Sequence, residues 1–385
     1  MKFLVLGGSG LIGSTIIRDL LTDEEVEEVE IGDIDEEKSR KLIKDLSDGR
    51  VQYKHIDVTD VAGLSEEMKR YDVTINSTWY QYNLHVTKAA ISSKSRLIDL
   101  GGLYHMTLRQ LELDEEARKA GASILIGCGE DPGISNIMIK HIADMFDEVD
   151  SIWIRDGDRD LKPLERPIFK FSIRTIVDEW VKNAVIFRDG RFEEVPPLSG
   201  IESFDFPEPV GRLMVAYSIH SELATIPRTI KKGLRYVDFK LSENFELVNL
   251  LRSLGFLSDD LINIDNLKIA VRELTVKLLS RLMMEPSMEF EDATCILVKV
   301  KGVRNGVETV HTMYALSRSR SDWRATASSY ITGVPPSIVA RMMVRGELEF
   351  YGVQPPETCI PTLKFLSILK KYRGITIGEK IEREL

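Results

Sequence analysis

The chain has 385 residues, enough at ~150 residues per domain for two domains or three, and its 51 Lys and Arg against 61 Asp and Glu leave a net charge of −10. With 43% hydrophobic and 29% charged residues, 26 Gly and 14 Pro, the composition is that of a soluble globular protein and excludes disordered, collagen-like and mucin-like chains. Acidity works against a phosphate backbone or an anionic leaflet as partner, and no apolar run approaches the ~20 residues of a membrane helix, so neither nucleic acid nor membrane is expected and a cytoplasmic location is.

In chain order, short β-rich runs alternate with longer amphipathic stretches as far as Gly127. The runs are Phe3–Leu6, Val29–Ile31, Val51–Ile56, Val73–Ile75, Leu97–Ile98 and Ile124–Ile126, and helices are predicted to begin near Leu11, Glu36, Val61, Leu84 and Leu108. That alternation buries a parallel sheet between two helix layers, and six strands suit the two mononucleotide-binding halves of a doubly wound α/β domain. A helix is predicted from Ile134 to Phe146. Beyond it the pattern changes to strands joined by turns. Asp189-Gly190 and Asn305-Gly306 are primed-turn dipeptides, predicting hairpins over Val185–Phe192 and from Cys295–Lys301 to Val307–Ala315. With helices over Glu243–Leu254 and Asn266–Met283, this second part reads as an α+β domain of mainly antiparallel sheet. Pro335-Pro336 is read as a helix start, followed by an apolar stripe through Met343 and a last helix near Thr362–Lys371.

Directly after the first strand stand Gly7, Gly8, Ser9, Gly10, Leu11, Ile12 and Gly13, which contain Gly-x-Gly-x-x-Gly and open a helix. Glycine permits the tight reversal, the approach of backbone amides to a pyrophosphate and close helix–strand packing, while the helix N-terminus supplies partial positive charge. Asp33 follows 20 residues after Gly13, at the end of the second strand, where a carboxylate would accept from the adenosine ribose hydroxyls. Together these predict a bound dinucleotide. Asp33, followed by Ile34 in place of an arginine, favours NAD, with NADP possible because Lys38 and Arg40 stand close by. Asp57 and Val58, ending the third strand, are candidates to border the adenine, although Asp57 reads equally well as a helix cap. The cofactor-facing rim should continue through Asn76, Ser77, Thr78 and Tyr80, then Asp99–Gly102 and Cys128–Gly133, beyond the carboxyl ends of strands four to six.

Cys128, Cys295 and Cys359 make no CxxC pair, and the six histidines form no HExxH or HxH pattern, so no metal site is predicted. The chain resembles the saccharopine dehydrogenase family, which includes saccharopine reductases and L-lysine 6-dehydrogenases. The resemblance rests on the Gly-rich turn with Asp33, on Asp72–Asn76 and Val86–Ile91, on Leu97–Asp99, and above all on Gly127–Asn136. Thr332–Pro336 with Ala340-Arg341, and Gly352–Glu357, extend it into the C-terminal region.

That resemblance implies a Rossmann domain over residues 1–128 plus 325–385, with a substrate and dimerisation domain of residues 129–324 inserted into it, and a homodimer. It implies hydride transfer between a nicotinamide and a carbon bearing nitrogen, with a small amino-acid substrate. Asp99 is the first catalytic candidate, matching the family's Asp after the fifth strand. Cys128 stands where saccharopine reductases carry a cysteine near substrate, and also reads as a buried hydrophobe. Asp131 either meets the substrate amine or caps the helix at Ile134. Arg174, Arg212 and Arg228 are candidates for substrate carboxylates, because a guanidinium pairs two oxygens at once. His220 stands where saccharopine reductases have an arginine, a departure from the pattern that binds saccharopine's glutamate arm. Two other readings stay open. One is a dinucleotide-sensing regulator without catalysis. The other is a polyamine-branch enzyme forming carboxynorspermidine or homospermidine, marked by a pocket of carboxylates in place of arginines.

Overall fold

Six short strands, β1 (Lys2–Leu6), β2 (Glu28–Asp33), β3 (Val51–His55), β4 (Val73–Asn76), β5 (Arg96–Asp99) and β6 (Ser123–Leu125), form one parallel sheet in the computed structural model, which describes residues 1–162, 168–265, 267–283, 290–372 and 374–383. Apart from the edge strand β3, in which only Val51 is buried, the strands are buried on both faces because helices cover both, as a doubly wound sheet requires. Chain order reverses between β1 and β4, which places a crevice beyond their carboxyl ends.

The second sheet is assembled from β7 (Glu148–Asp160), β8 (Ala184–Arg188), β9 (Arg191–Val195), β10 (Glu202–Asp205), β11 (Arg212–Tyr217) and β12 (Tyr236–Ser242), with β15 (Asp292–Arg304) and β16 (Val307–Arg318); a separate hairpin of β13 (Leu261–Ile264) and β14 (Leu267–Ala270) stands apart. Both predicted primed turns are present: Asp189 and Gly190 have φ of 46° and 80°, Asn305 and Gly306 of 53° and 76°. The sheet is antiparallel except where β12 runs parallel to β7, the strand that the sequence reading passed over.

The C-terminal region divides between the two sheets. β17 (Gly352–Gln354) pairs with β6, as expected of a segment folding back onto the first domain, but β18 (Ile375–Arg383) pairs with β16. The expected first domain therefore loses its last strand to the second. Pro335 and Pro336 do not start a helix either. They lie inside Ala327–Val344, whose N-cap is Thr326, its side chain accepting from the Ser329 amide. This helix packs on the helix Leu11–Leu20, with Gly333 so close to Thr15 that an added Cβ would come within 2.8 Å of it. Packing on two sides holds a helix that proline would otherwise break. The helix expected over Asn266–Met283 is β14 followed by the helix Val271–Leu279; Asn266 itself lies outside the described residues.

A buried ion pair locks the C-terminal helix in place. Arg341 donates to the Asp19 carboxylate at 2.7 Å and to the Asp19 carbonyl at 2.9 Å, and Ser337 and Tyr372 donate to the same carboxylate. Arg341→Ala leaves Asp19 buried and unpaired, so we expect a loss of about 3–5 kcal/mol, read as a fall in the denaturant midpoint with unchanged slope.

Candidate active site

The glycine turn is shaped as its sequence requires. Gly7 has φ of +69°, and a Cβ on Gly13 would meet the Gly7 carbonyl at 2.5 Å, so the helix start sits against the strand end only because both are glycine. No side chain caps the helix Leu11–Leu20, and its first-turn amides remain an anion cradle. Asp33 lies beside it, one oxygen accepting from the Ser9 amide and hydroxyl at 3.2 and 2.6 Å, the other from the Asp35 amide at 3.0 Å. These residues fit a dinucleotide: an open cradle for the pyrophosphate and a fixed carboxylate at the ribose position. Ile34 is 67% exposed next to it. Lys38 and Arg40 pair with Asp35 and Glu36.

Along the rim, several expected site residues serve other ends. Asn76 is buried, accepting from the Thr78 amide and hydroxyl and donating to Asn83; Ser77 donates to the Leu6 carbonyl. Their side chains hold the turn after β4. Asp57, at the exposed end of β3, accepts from the Thr59 amide and hydroxyl, which hold its carboxyl below the usual range.

Asp99, the first catalytic candidate, is held as a brace. It is 1% exposed, with one oxygen accepting from the Gly101 and Gly127 amides, both at 2.8 Å, and the other from the Gln110 amide group at 2.6 Å. It ties the turns after β5 and β6 together and has no free face for a substrate. Asp99→Ala orphans two buried donors and one half-buried donor, so we expect a loss of about 3 kcal/mol. Asp99→Asn should be milder, because Gln110 can turn its amide over and offer the oxygen that is now unpaired. Thermal denaturation of both variants checks the ranking. Cys128 is fully buried in the apolar core, as its reading as a buried hydrophobe expects, and burial pushes its thiol well above the usual range.

None of the expected arginines forms a carboxylate clamp. Arg212 faces outward, paired with Asp205; Arg174 pairs with Glu273 and lies over Trp79 at 5.1 Å; Arg228 lies over Phe192 at 4.4 Å and donates to the Ala224 carbonyl. Tyr80 spans the crevice, its hydroxyl donating to Asp178 at 2.6 Å on the helix Ile173–Val181.

The structure gathers carboxylates there instead. Asp156 and Asp158 project from one face of β7; Leu241 of β12 lies opposite Asp156, so Glu243, just past the end of β12, falls beside Asp158, and Thr294 of β15 faces Asp158 from the other side. Glu130, from the turn after β6, accepts from Thr294 at 3.1 Å. Burial, and then the charge of Asp156, drive both Glu130 and its neighbour Asp131 well above the usual carboxyl range. Burial followed by Asp158 does the same to Asp156. Asp158 is raised by burial to about 6, although Lys170 opposes the shift, and burial raises Glu243 to about 7. Glu179 joins the set from the helix Ile173–Val181. Asp158 nonetheless touches solvent while packed deep in the protein, as the lining of a narrow cleft does. One oxygen each of Asp131 and Asp156 is buried with no hydrogen-bond partner among the described residues. Repelling, under-satisfied carboxyls at the mouth of a nucleotide crevice are prepared for a cation. Of this set the rim expected from the sequence over Cys128–Gly133 holds Glu130 and Asp131, and Asp131 joins the acids in place of capping the helix at Ile134, which begins from Gly133.

His220 enters the same cleft. Its Nδ1 is hydrogen-bonded to Glu222, and Asp131, His220 and Glu222 bring their polar atoms within 4.8 Å of one another. The Gly127–Asn136 block explains this placement: Asn136 accepts from the Gly133 amide and donates to Glu357 at 2.9 Å, and Thr229 donates to the other Glu357 oxygen. Glu357 of the C-terminal segment thereby pins the turn after β6 to the helix Glu222–Thr229, which begins beside His220.

Comparison with known proteins agrees with this architecture. Residues 3–125 match the model for the saccharopine dehydrogenase NADP binding domain, and residues 129–375 the model for the saccharopine dehydrogenase C-terminal domain. The chain belongs to the saccharopine dehydrogenase family. A carboxyaminopropylagmatine dehydrogenase from Synechocystis is 20% identical over 372 residues, covering 92% of both chains. An L-glutamate-forming, NADP(+)-linked saccharopine dehydrogenase from Pyricularia oryzae is 26% identical over 67% of this chain and 59% of its own. The apo saccharopine dehydrogenase of Saccharomyces cerevisiae shares the fold across 99% of both chains, with a TM-score of 0.77 at 19% identity. Among the described residues, no helix is long and apolar enough to cross a membrane.

Proposed function

We propose that this family member is a nicotinamide-dinucleotide-dependent oxidoreductase acting at the C–N bond of an amine substrate that carries a further positive charge. The observation that carries this reading is the set of carboxyl groups around Asp156 and Asp158, where a saccharopine site would need arginines for its carboxylates. The Synechocystis relative supports it, since the agmatine in its name is a guanidinium compound. When bound, the coenzyme accepts or supplies the hydride at the reacting carbon. The chain's own part is to hold the amine between Asp131, Asp156 and Asp158, to exclude water with the Tyr80–Asp178 bridge, and to stabilise the cationic iminium that oxidation leaves.

Asp33 favours NAD, because a 2′-phosphate would lie against its carboxylate while Lys38 and Arg40 are held by their own helix. NADP in the names of the domain model and the fungal relative argues the other way. Absorbance of reduced coenzyme, followed with lysine, saccharopine, agmatine and spermidine as oxidative substrates and with aldehyde–amine pairs in reverse, tests the reading. Turnover is expected with the polycationic amines. Turnover of saccharopine alone would contradict it.

A further inference from the structure

The helix Glu222–Thr229 begins at the cleft, and its first residue, Glu222, is fully buried. One Glu222 oxygen accepts from the Ser135 hydroxyl at 2.7 Å, and the other meets Nδ1 of His220. A carboxylate held on one side by a hydroxyl donor requires that Nδ1 carry the ring proton, so in the neutral imidazole Nε2 presents its lone pair. The ring lies flat on Phe239 of β12, centroids 3.9 Å apart and planes within 5°. Tautomer and orientation are therefore both fixed. Nε2 has no hydrogen-bond partner among the described residues, and His220 keeps 11% of its side chain exposed, toward the cleft that Asp131 shares.

This is the arrangement of an oriented base, in which a buried carboxylate aims an imidazole at a reacting group. The reaction proposed above needs one: an ammonium nitrogen has no lone pair with which to close a C=N bond. We propose that His220 is the base that takes the proton from the substrate ammonium, with Glu222 and Ser135 as positioning residues, an assignment that rests on the amine-oxidation reading. The N–H bond breaks toward Nε2 and the proton stays on the imidazole. The freed nitrogen pair then closes the C=N bond as the adjoining C–H bond gives up its hydride to the oxidised coenzyme. In reverse, the imidazolium returns the proton to the new amine. The groups that face this step are Glu130 and Asp131 on the turn after β6, Asp156 on β7, Glu222 at the start of the helix that follows His220, Phe239 of β12 and Glu243 just past its end. The carboxyls attract the cationic substrate, and a buried partner, Glu222, sets the direction of the His220 lone pair.

The test is steady-state oxidation of the best amine by wild type, His220→Gln and His220→Ala between pH 6 and 10, with and without added imidazole, alongside coenzyme affinity by calorimetry. Expected are a kcat at least ~100-fold lower in both variants with little change in KM, loss of the acidic limb of the kcat profile, restoration of His220→Ala by imidazole, and unchanged coenzyme affinity. Glu222→Gln should give a smaller fall in kcat. A wild-type kcat in the histidine variants, or an acidic limb that survives in both, overturns the base assignment while leaving amine oxidation standing. Silence of the wild type on every amine removes the reading and the base with it.

Discussion

Asp156→Asn is expected to make the free protein more stable and the enzyme worse. Asp156 is flanked by Asp158 and lies near Glu130, Glu222 and Glu243, and one of its oxygens is buried without a donor. An amide in its place removes one member of a repelling set and brings a donor for its neighbours. We expect a gain of about 1 kcal/mol at pH 8, or about 2 °C in midpoint. The pH dependence has a definite sign. Carboxyls whose folded pKa is raised contribute stability that is full below their unfolded value and is lost as pH rises through the folded one. Glu243, raised from 4.5 to about 7, and to a lesser degree the more exposed Asp158, raised from 3.8 to about 6, therefore make the wild type lose stability from about pH 4 to 7, and the advantage of the variant should open over that interval and vanish below it. For the amine the effect is opposite. Losing one charged contact of about 1.5–3 kcal/mol raises KM roughly 10- to 100-fold, with coenzyme affinity untouched. Denaturation curves at pH 4 and 8, paired with KM, check both halves. A destabilised variant with unaltered KM would mean that Asp156 is a structural acid.

Asp33→Ala should have an effect of similar size on the coenzyme. The carboxylate is held beside the glycine turn by the Ser9 amide and hydroxyl and by the Asp35 amide, so it is in place before any ligand arrives. Its removal takes two charged acceptors from the ribose hydroxyls, and we expect NAD affinity to fall roughly 10- to 100-fold. NADP affinity should hold or improve, since the repulsion of a 2′-phosphate goes with the charge. Asp33→Asn, which can still accept from Ser9, separates the loss of charge from loosening of the turn. Titrating both coenzymes into the three proteins by fluorescence measures the switch; a wild type that prefers NADP would assign the ribose end to other residues.

The nucleotide half was legible because its signals are local. Gly7 to Gly13 and Asp33 sit within one β–α–β unit, and Asp189-Gly190 and Asn305-Gly306 specify their turns over two residues each. The cleft was not. Glu130, Asp156, Glu179 and Glu243 come from four separate elements, and only pairing of β12 with β7 and closure of the turn after β6 bring them together. The one local sign was the alternation Asp156-Gly157-Asp158, which sets two acids on one face of a strand. Asp99 was open for a related reason. Its position at a strand end fits a catalytic role and a brace equally, and its contacts with the amides of Gly101 and Gly127 and with Gln110 arise only in the fold. Pro335-Pro336 misled because helix rules describe isolated segments, whereas the helix Ala327–Val344 is held by the surface it packs on.

Calorimetric titration of spermidine and of glutamate into the protein saturated with coenzyme tests the central claim most directly. The carboxyl-lined cleft predicts heat of binding for spermidine, weakened by added salt and by Asp156→Asn, and none for glutamate. Saturable binding of glutamate with none for spermidine would contradict it.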